Sequence, residues 1–243
     1  MNEILAIAGG TWRRILRMRA VYFLILCVMV LIASAINYDV LSLDHHKDLM
    51  IDFSLVLNTL AVVLIVISVT FEIPVELREG VASTLLSKPL GRTHYLVGKA
   101  LGTSITGLII SAIIIAGFFI IFNFAFGERI SMAMLQSHVL VALSVIPMSA
   151  MAVFFSVIIP EMITPIVTAI AIWFAFSTSA LANVKILYGG ILPALDLYNF
   201  KSFAVYGEKI NWDYIGLSIL WGLAFSTFAL SLASLIFRQK DIK

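Results

Sequence analysis

The sequence predicts an all-α polytopic membrane protein: one domain over residues 1–243 with six transmembrane helices. Three observations predict it. Of 243 residues, 61% are hydrophobic and only 12% charged, where an ordinary soluble domain carries about 25% charged residues. The mean hydropathy is +1.06. The apolar residues also fall into long runs, each near the ~20 residues a helix needs to cross a bilayer.

Taken in order, the chain opens with a segment whose apolar residues Ile4, Leu5, Ala8, Trp12, Ile15 and Leu16 can share one helical face. The arginines lie off that face, which predicts an amphipathic helix lying in the plane of the membrane surface. Gly9 and Gly10 weaken it. The six spans follow at 20–38, 53–71, 100–126, 139–159, 162–182 and 214–237. Ala33-Ser34-Ala35 has the small-residue pattern of a signal-peptide cleavage site. The stretch before the first apolar run is long for a signal peptide, so that span is expected to stay. The fourth and fifth spans are separated by Pro160 and Glu161, with Pro165 just beyond. Two prolines and a charge predict a tight helical hairpin in place of one long helix.

Orientation follows from lysine and arginine. Arg13, Arg14, Arg17 and Arg19 precede the first span. Arg78, Lys88, Arg92 and Lys99 lie between the second and third, and Arg238, Lys240 and Lys243 follow the sixth. The opposite side has Lys47, Arg129, Lys185, Lys201 and Lys209. The richer side is expected to be cytoplasmic, with both termini inside. Of the outer loops, 183–213 is oddly apolar, which predicts one or two short interfacial helices broken near Gly189, Gly190 and Pro193. Cys27 is the only cysteine, so no intramolecular disulfide can form.

The spans read as free of ionisable side chains, the usual markers of proton relays and ion paths. No H-E-x-x-H, G-x-S-x-G or G-x-x-x-x-G-K-[ST] motif occurs. No catalytic residue, bound cofactor, metal site or nucleic-acid surface is therefore expected. Asp44, His45, His46, Lys47 and Asp48 read as an exposed polar turn more readily than as a metal site. Asn58, Ser68, Ser111, Asn123, Ser144 and Ser156 read as glue between helices. Phe118, Phe119, Phe122, Phe124 and Phe126 read as an interfacial aromatic belt.

Residues 75–99 break the monotony, because they mix both charge signs between two apolar spans. Glu72, Glu76 and Glu79 are spaced to lie along one helical face. Gly80 follows, and then Thr84, Leu85, Leu86, Ser87, Lys88 and Pro89, with Arg92 beginning the return to the membrane. A basic loop explains the cations but not the glutamates or the exposed leucine pair, which suit a partner's groove. A helix is expected from about Val75 to Lys88. Leu85 and Leu86 would anchor it in a cleft of the partner. Glu76, Arg78, Glu79 and Lys88 would form the polar rim, Gly80 would allow close approach, and Pro89 would end the helix.

Glu72, Glu76, Gly80, Leu85, Leu86, Pro89, Arg92, Gly98 and Lys99 match, in order and spacing, the loop between the second and third spans of ABC-2 type permeases. These are membrane subunits of ATP-binding-cassette transporters, and the basic tail Arg238-Gln239-Lys240-Asp241 is similar to theirs as well. The resemblance implies a permease, an exporter, in a bacterial or archaeal cytoplasmic membrane. It implies an ATPase-coupling interface comprising Glu76, Arg78, Glu79, Gly80, Thr84, Leu85, Leu86, Lys88, Pro89 and Arg92. It also implies two copies of a cytoplasmic ATPase carrying ATP and Mg, and a second permease chain completing the path through membrane lipid. The competing expectation is a non-transporting membrane scaffold or sensor regulated by such an ATPase.

Overall fold

The computed structural model describes residues 2–37, 46–80, 91–177 and 193–239, and all regular structure among them is helical. We label the helices α1 (Asn2–Arg17), α2 (Arg19–Ser34), α3 (His46–Arg78), α4 (Arg92–Phe126), α5 (Met132–Leu143), α6 (Val145–Ile158), α7 (Thr164–Phe176), α8 (Lys201–Tyr206) and α9 (Trp212–Gln239). Two 3-10 turns, Ala35–Asn37 and Leu195–Tyr198, follow α2 and precede α8.

Among the described residues, four units are long and apolar enough to cross a membrane: α3, α4, α5 with α6, and α9. A fifth exists if α1 and α2, bent by 62° at their junction, count as one. That is fewer than the six expected. The expected first span is reduced to the 16 residues of α2, about 24 Å at 1.5 Å per residue against a hydrocarbon core of about 30 Å. Met18 is extended and starts α2 afresh, and the chain tightens into a 3-10 turn at Ala35. Of the expected fifth span, α7 has 13 residues, and 178–182 lie outside the described residues.

Prolines set the breaks. Pro147 cannot donate to the carbonyl one turn back, and the ladder is interrupted at Ser144, between α5 and α6. Pro160 forces the preceding Ile159 into extended backbone (ψ 146°), which ends α6. Thr164 then opens α7, its hydroxyl donating to the carbonyls of Ile159 (3.0 Å) and Pro160 (2.9 Å). The helix break on which the expected hairpin depends is present at Pro160.

The centre is α5–α6, with 72% of its apolar window buried against 28% for α9. Val66 and Val69 of α3, Leu140 of α5, Val145 of α6 and Phe237 of α9 share one core cluster. Val28 and Ile32 of α2, Leu55 of α3 and Ile110 and Phe118 of α4 share another. Outward, Leu60, Trp173, Leu217 and Phe228 are exposed. Apolar surface on that scale is a liability in water and ordinary against lipid. The chain is thus an all-α, membrane-embedded protein.

Two expectations about side chains change. Phe118 and Phe122 are buried, not part of a surface belt; one turn apart, they pack on each other and, through Phe118, on His138 at 4.8 Å. The hydroxyls of Ser68, Ser144 and Ser156 bond to carbonyls of their own helices. The one direct hydroxyl bridge of α4 to α6 is Ser104 to Ser149, 2.5 Å.

Candidate functional site

The carboxylates of Glu72 and Glu76 lie one turn apart on α3 and face α4, where Lys99 meets both, at 2.5 Å and 2.7 Å. Tyr95, one turn before Lys99, donates its hydroxyl to Glu76 Oε2 at 2.6 Å. Arg14 of α1 closes the cluster at 3.0 Å from Glu76 and 3.5 Å from Glu72. Lys99, Glu72 and Glu76 are buried, whereas the Arg14 side chain is half-exposed. Two acids and two bases balance in charge. Desolvating them is costly, so such a cluster holds a defined geometry more than it adds net stability. Glu72 Oε2 has no hydrogen-bond partner among the described residues.

The start of α4 is the hub of this end. Arg92 donates to the carbonyls of Phe237 and Arg238, both at 2.9 Å, and so caps the C-terminus of α9. Thr93 bonds Ser234 at 2.6 Å, and Tyr95 stacks on Phe237. α1 lies against the same turns. A Cβ on Gly98 would stand 2.7 Å from Ile7 Cβ, and one on Gly102 would stand 2.7 Å from the Ala8 carbonyl oxygen. Only glycine permits that approach. On the 100°-per-residue wheel α1 has three faces. Ala8, Thr11 and Ile15 are buried on α4, Leu5 and Trp12 form an exposed apolar edge, and Arg13 and Arg17 are exposed beyond it.

The expected coupling residues divide. Glu76 is buried in the cluster and is not part of an exposed rim. Glu79 is exposed; Arg78 is exposed and pairs with Glu161 at 2.8 Å. Arg92 is committed to the end of α9. A helix running on from Val75 to Lys88 is interrupted: α3 ends at Arg78, and Gly80 takes a left-handed φ of 72°. Glycine there reverses the chain as at many helix ends, so its role is conformational and not close approach. Thr84, Leu85, Leu86, Lys88 and Pro89 lie outside the described residues.

The pairs Arg78–Glu161 and Arg92–Phe237 gather the end of α3, the start of α4, the α6–α7 turn and the end of α9 at one end of the molecule. The opposite end is tied by the ion pair of Lys47 with Glu128, and by Gln136. The Gln136 amide brackets the Ile210 backbone, donating to its carbonyl at 2.8 Å and accepting from its N–H at 2.9 Å. Tyr198 donates to the Ser218 carbonyl at 2.7 Å; burial pushes its hydroxyl pKa up, so it stays a donor. A 3-10 turn at Leu195–Tyr198 and the short helix α8 precede the last span, and the expected break at Gly189 and Gly190 lies outside the described residues.

Sequence reasoning missed the burial of charge within the helices, because α3 and α4 extend past their apolar runs to include Glu72, Glu76 and Lys99. Arg14 enters the sequence reading only as an orienting cation, and Tyr95 not at all. A cation on the protein-facing edge of α1 was the available signal. His138 was missed too. It is fully buried in α5, with Nδ1 facing the Met134 carbonyl at 2.8 Å and Nε2 facing Ser54 at 3.0 Å. A carbonyl only accepts, so Nδ1 carries the proton; the single Ser54 hydroxyl hydrogen is shared between the Ile51 carbonyl at 2.7 Å and Nε2. Among the described residues, no three His, Cys, Asp or Glu side chains are placed to share a metal ion. Asp44 and His45 lie outside the described residues.

No model of a known protein family matches the chain, and no curated protein matches it.

Proposed function

We propose that the chain is the membrane-spanning permease subunit of an ATP-binding-cassette exporter, driven through residues 75–99 by a separate cytoplasmic ATPase. The observation that carries this reading is the clamp at the base of the 81–90 segment. Glu72 and Glu76 on its incoming helix are bonded to Lys99 and Tyr95 on its outgoing helix, and Arg14 adds α1. A push on that segment reaches α1, α3 and α4 together, and α9 through Arg92. A plain connecting loop needs no such fixture, whereas an element that receives mechanical work does.

In this reading α2 and α7, short as they are, complete a six-helix permease. Its charge-cluster end and both termini face the cytoplasm. Two permeases, identical or different, and two ATPases with their ATP and Mg make the working unit. Reconstitution tests it. The chain alone should move no cargo under a proton gradient, and vesicles holding chain plus ATPase should move it when ATP is added. Transport by the chain alone, indifferent to ATP, contradicts the proposal.

A further inference from the structure

At the end opposite the charge cluster, α3, α7 and the 3-10 turn at Leu195–Tyr198 enclose a groove of about 290 Å³ that opens sideways, towards the surface a bilayer would cover. Its walls are apolar: Leu60 and Val63 from α3, and Ile172, Trp173 and Phe176 from α7. Leu60 and Trp173 are themselves exposed, at 49% and 65%, so the groove is entered from the side. Two of its polar side chains are already committed. The Thr59 hydroxyl donates to the Leu55 carbonyl and the Tyr198 hydroxyl to the Ser218 carbonyl.

Two polar groups remain, Asn199 and Lys201, next to each other at the end formed by the 3-10 turn and α8. Among the described residues Lys201 is the only charged side chain lining the groove, and it is half-buried. Lys47 and Lys99 each have a carboxylate partner; among the described residues Lys201 has none. An apolar slot open to lipid, with one unneutralised cation and an amide at its mouth, is complementary to an anionic amphiphile. We propose that this groove binds a membrane lipid with an anionic headgroup, one acyl chain along Leu60, Ile172 and Trp173 and the headgroup at Lys201 and Asn199. A lysine that merely reaches to the interface would favour no headgroup inside the groove. The assignment concerns binding and does not require the ATPase of the preceding section.

The probe is a chain-brominated phosphatidylglycerol, which quenches nearby tryptophan, compared with chain-brominated phosphatidylcholine in phosphatidylcholine vesicles. The protein is the full chain with Trp12, Trp212 and Trp221 replaced by Phe, which leaves Trp173 in the groove. The anionic lipid should quench Trp173 with about fivefold higher apparent affinity, the contribution of one cation facing an anionic lipid. Lys201→Gln should abolish that preference, Lys201→Arg should keep it, and the exposed Lys209→Gln should leave it unchanged. Should the tryptophan variants fail to fold, native mass spectrometry of the wild-type and Lys201→Gln chains reads retained phosphatidylglycerol directly. Equal quenching by the two lipids, equal lipid retention, or a preference untouched by Lys201→Gln overturns the proposal. Free fatty acid displacing the brominated lipid completely would reassign the site to single-chain anions and overturn it as stated.

Discussion

Lys99 holds two buried carboxylates, so its loss is felt more than that of any exposed lysine. Lys99→Met leaves Glu72 and Glu76 facing each other with the half-exposed Arg14 as their cation and the Tyr95 hydroxyl on Glu76. Breaking a buried pair from one side costs about 3–5 kcal/mol. Thermal unfolding in detergent should show a large drop for Lys99→Met, and adding Glu72→Gln should restore much of it. Equal midpoints for the single and double variants would mean that the cluster is not a coupled unit. At this scale the sequence was half legible. Glu72 and Glu76 stand out by spacing, and their alignment on a helical face can be read; Gly98 and Lys99 are marked only by the resemblance. Spacing says nothing of which way the face points, so Glu76 was taken for an exposed residue when α4 covers it. Arg14 and Tyr95 become partners only when three helices meet, which no local pattern encodes.

Among the elements, α1 makes the sharpest case. Its docking depends on two glycines of α4 placed one turn apart. In Gly102→Val the new side chain meets the backbone of α1 at Ala8, and backbone cannot swing aside. Overpacking of this kind costs about 1–3 kcal/mol. Proteolysis at Arg13 and Arg17 should accelerate severalfold as α1 lifts, while Gly216→Ala, with open space around it, should change nothing. Unaltered proteolysis of Gly102→Val would show that α1 is held some other way.

Gln136 makes a second case, at the opposite end. Gln136→Leu strands both backbone groups of Ile210, each at a cost of about 1–3 kcal/mol if it stays buried. Amide exchange at Ile210 should quicken while exchange around Tyr95 stays slow. Equal change at both would contradict the separation of the two ends. The existence of the helices was legible from apolar runs, and the hairpin from Pro160. Their extents were not. α3 and α4 continue as helix well beyond their hydrophobic stretches, because interior ion pairs let charged residues stay in register. Conversely, α2 gives way to a 3-10 turn at Ala35, short of the expected end of its span at 38.

For the whole molecule, the division of lysines and arginines between two ends is legible and, for the described residues, agrees with the contacts that tie each end together. Which end faces the cytoplasm is a matter of orientation and calls for labelling. In a Cys27→Ala background, an impermeant thiol reagent added outside cells should reach Lys201→Cys and not Lys88→Cys. The reverse pattern would invert the topology and remove the ATPase from reach of residues 75–99.

The central claim is that those residues transmit work from a separate ATPase, and Leu85 and Leu86 test it most directly. Leu85→Asp with Leu86→Asp puts charge where an apolar anchor is required, while Leu187→Asp serves as the control in the other expected loop. Co-purification of the chain with its ATPase, read together with cargo-stimulated hydrolysis, is the measurement. The account predicts that the double variant inserts and dimerises normally but releases the ATPase or leaves it bound and unstimulated, with the control unaffected. A double variant that retains its ATPase and shows normal cargo-stimulated hydrolysis would contradict it.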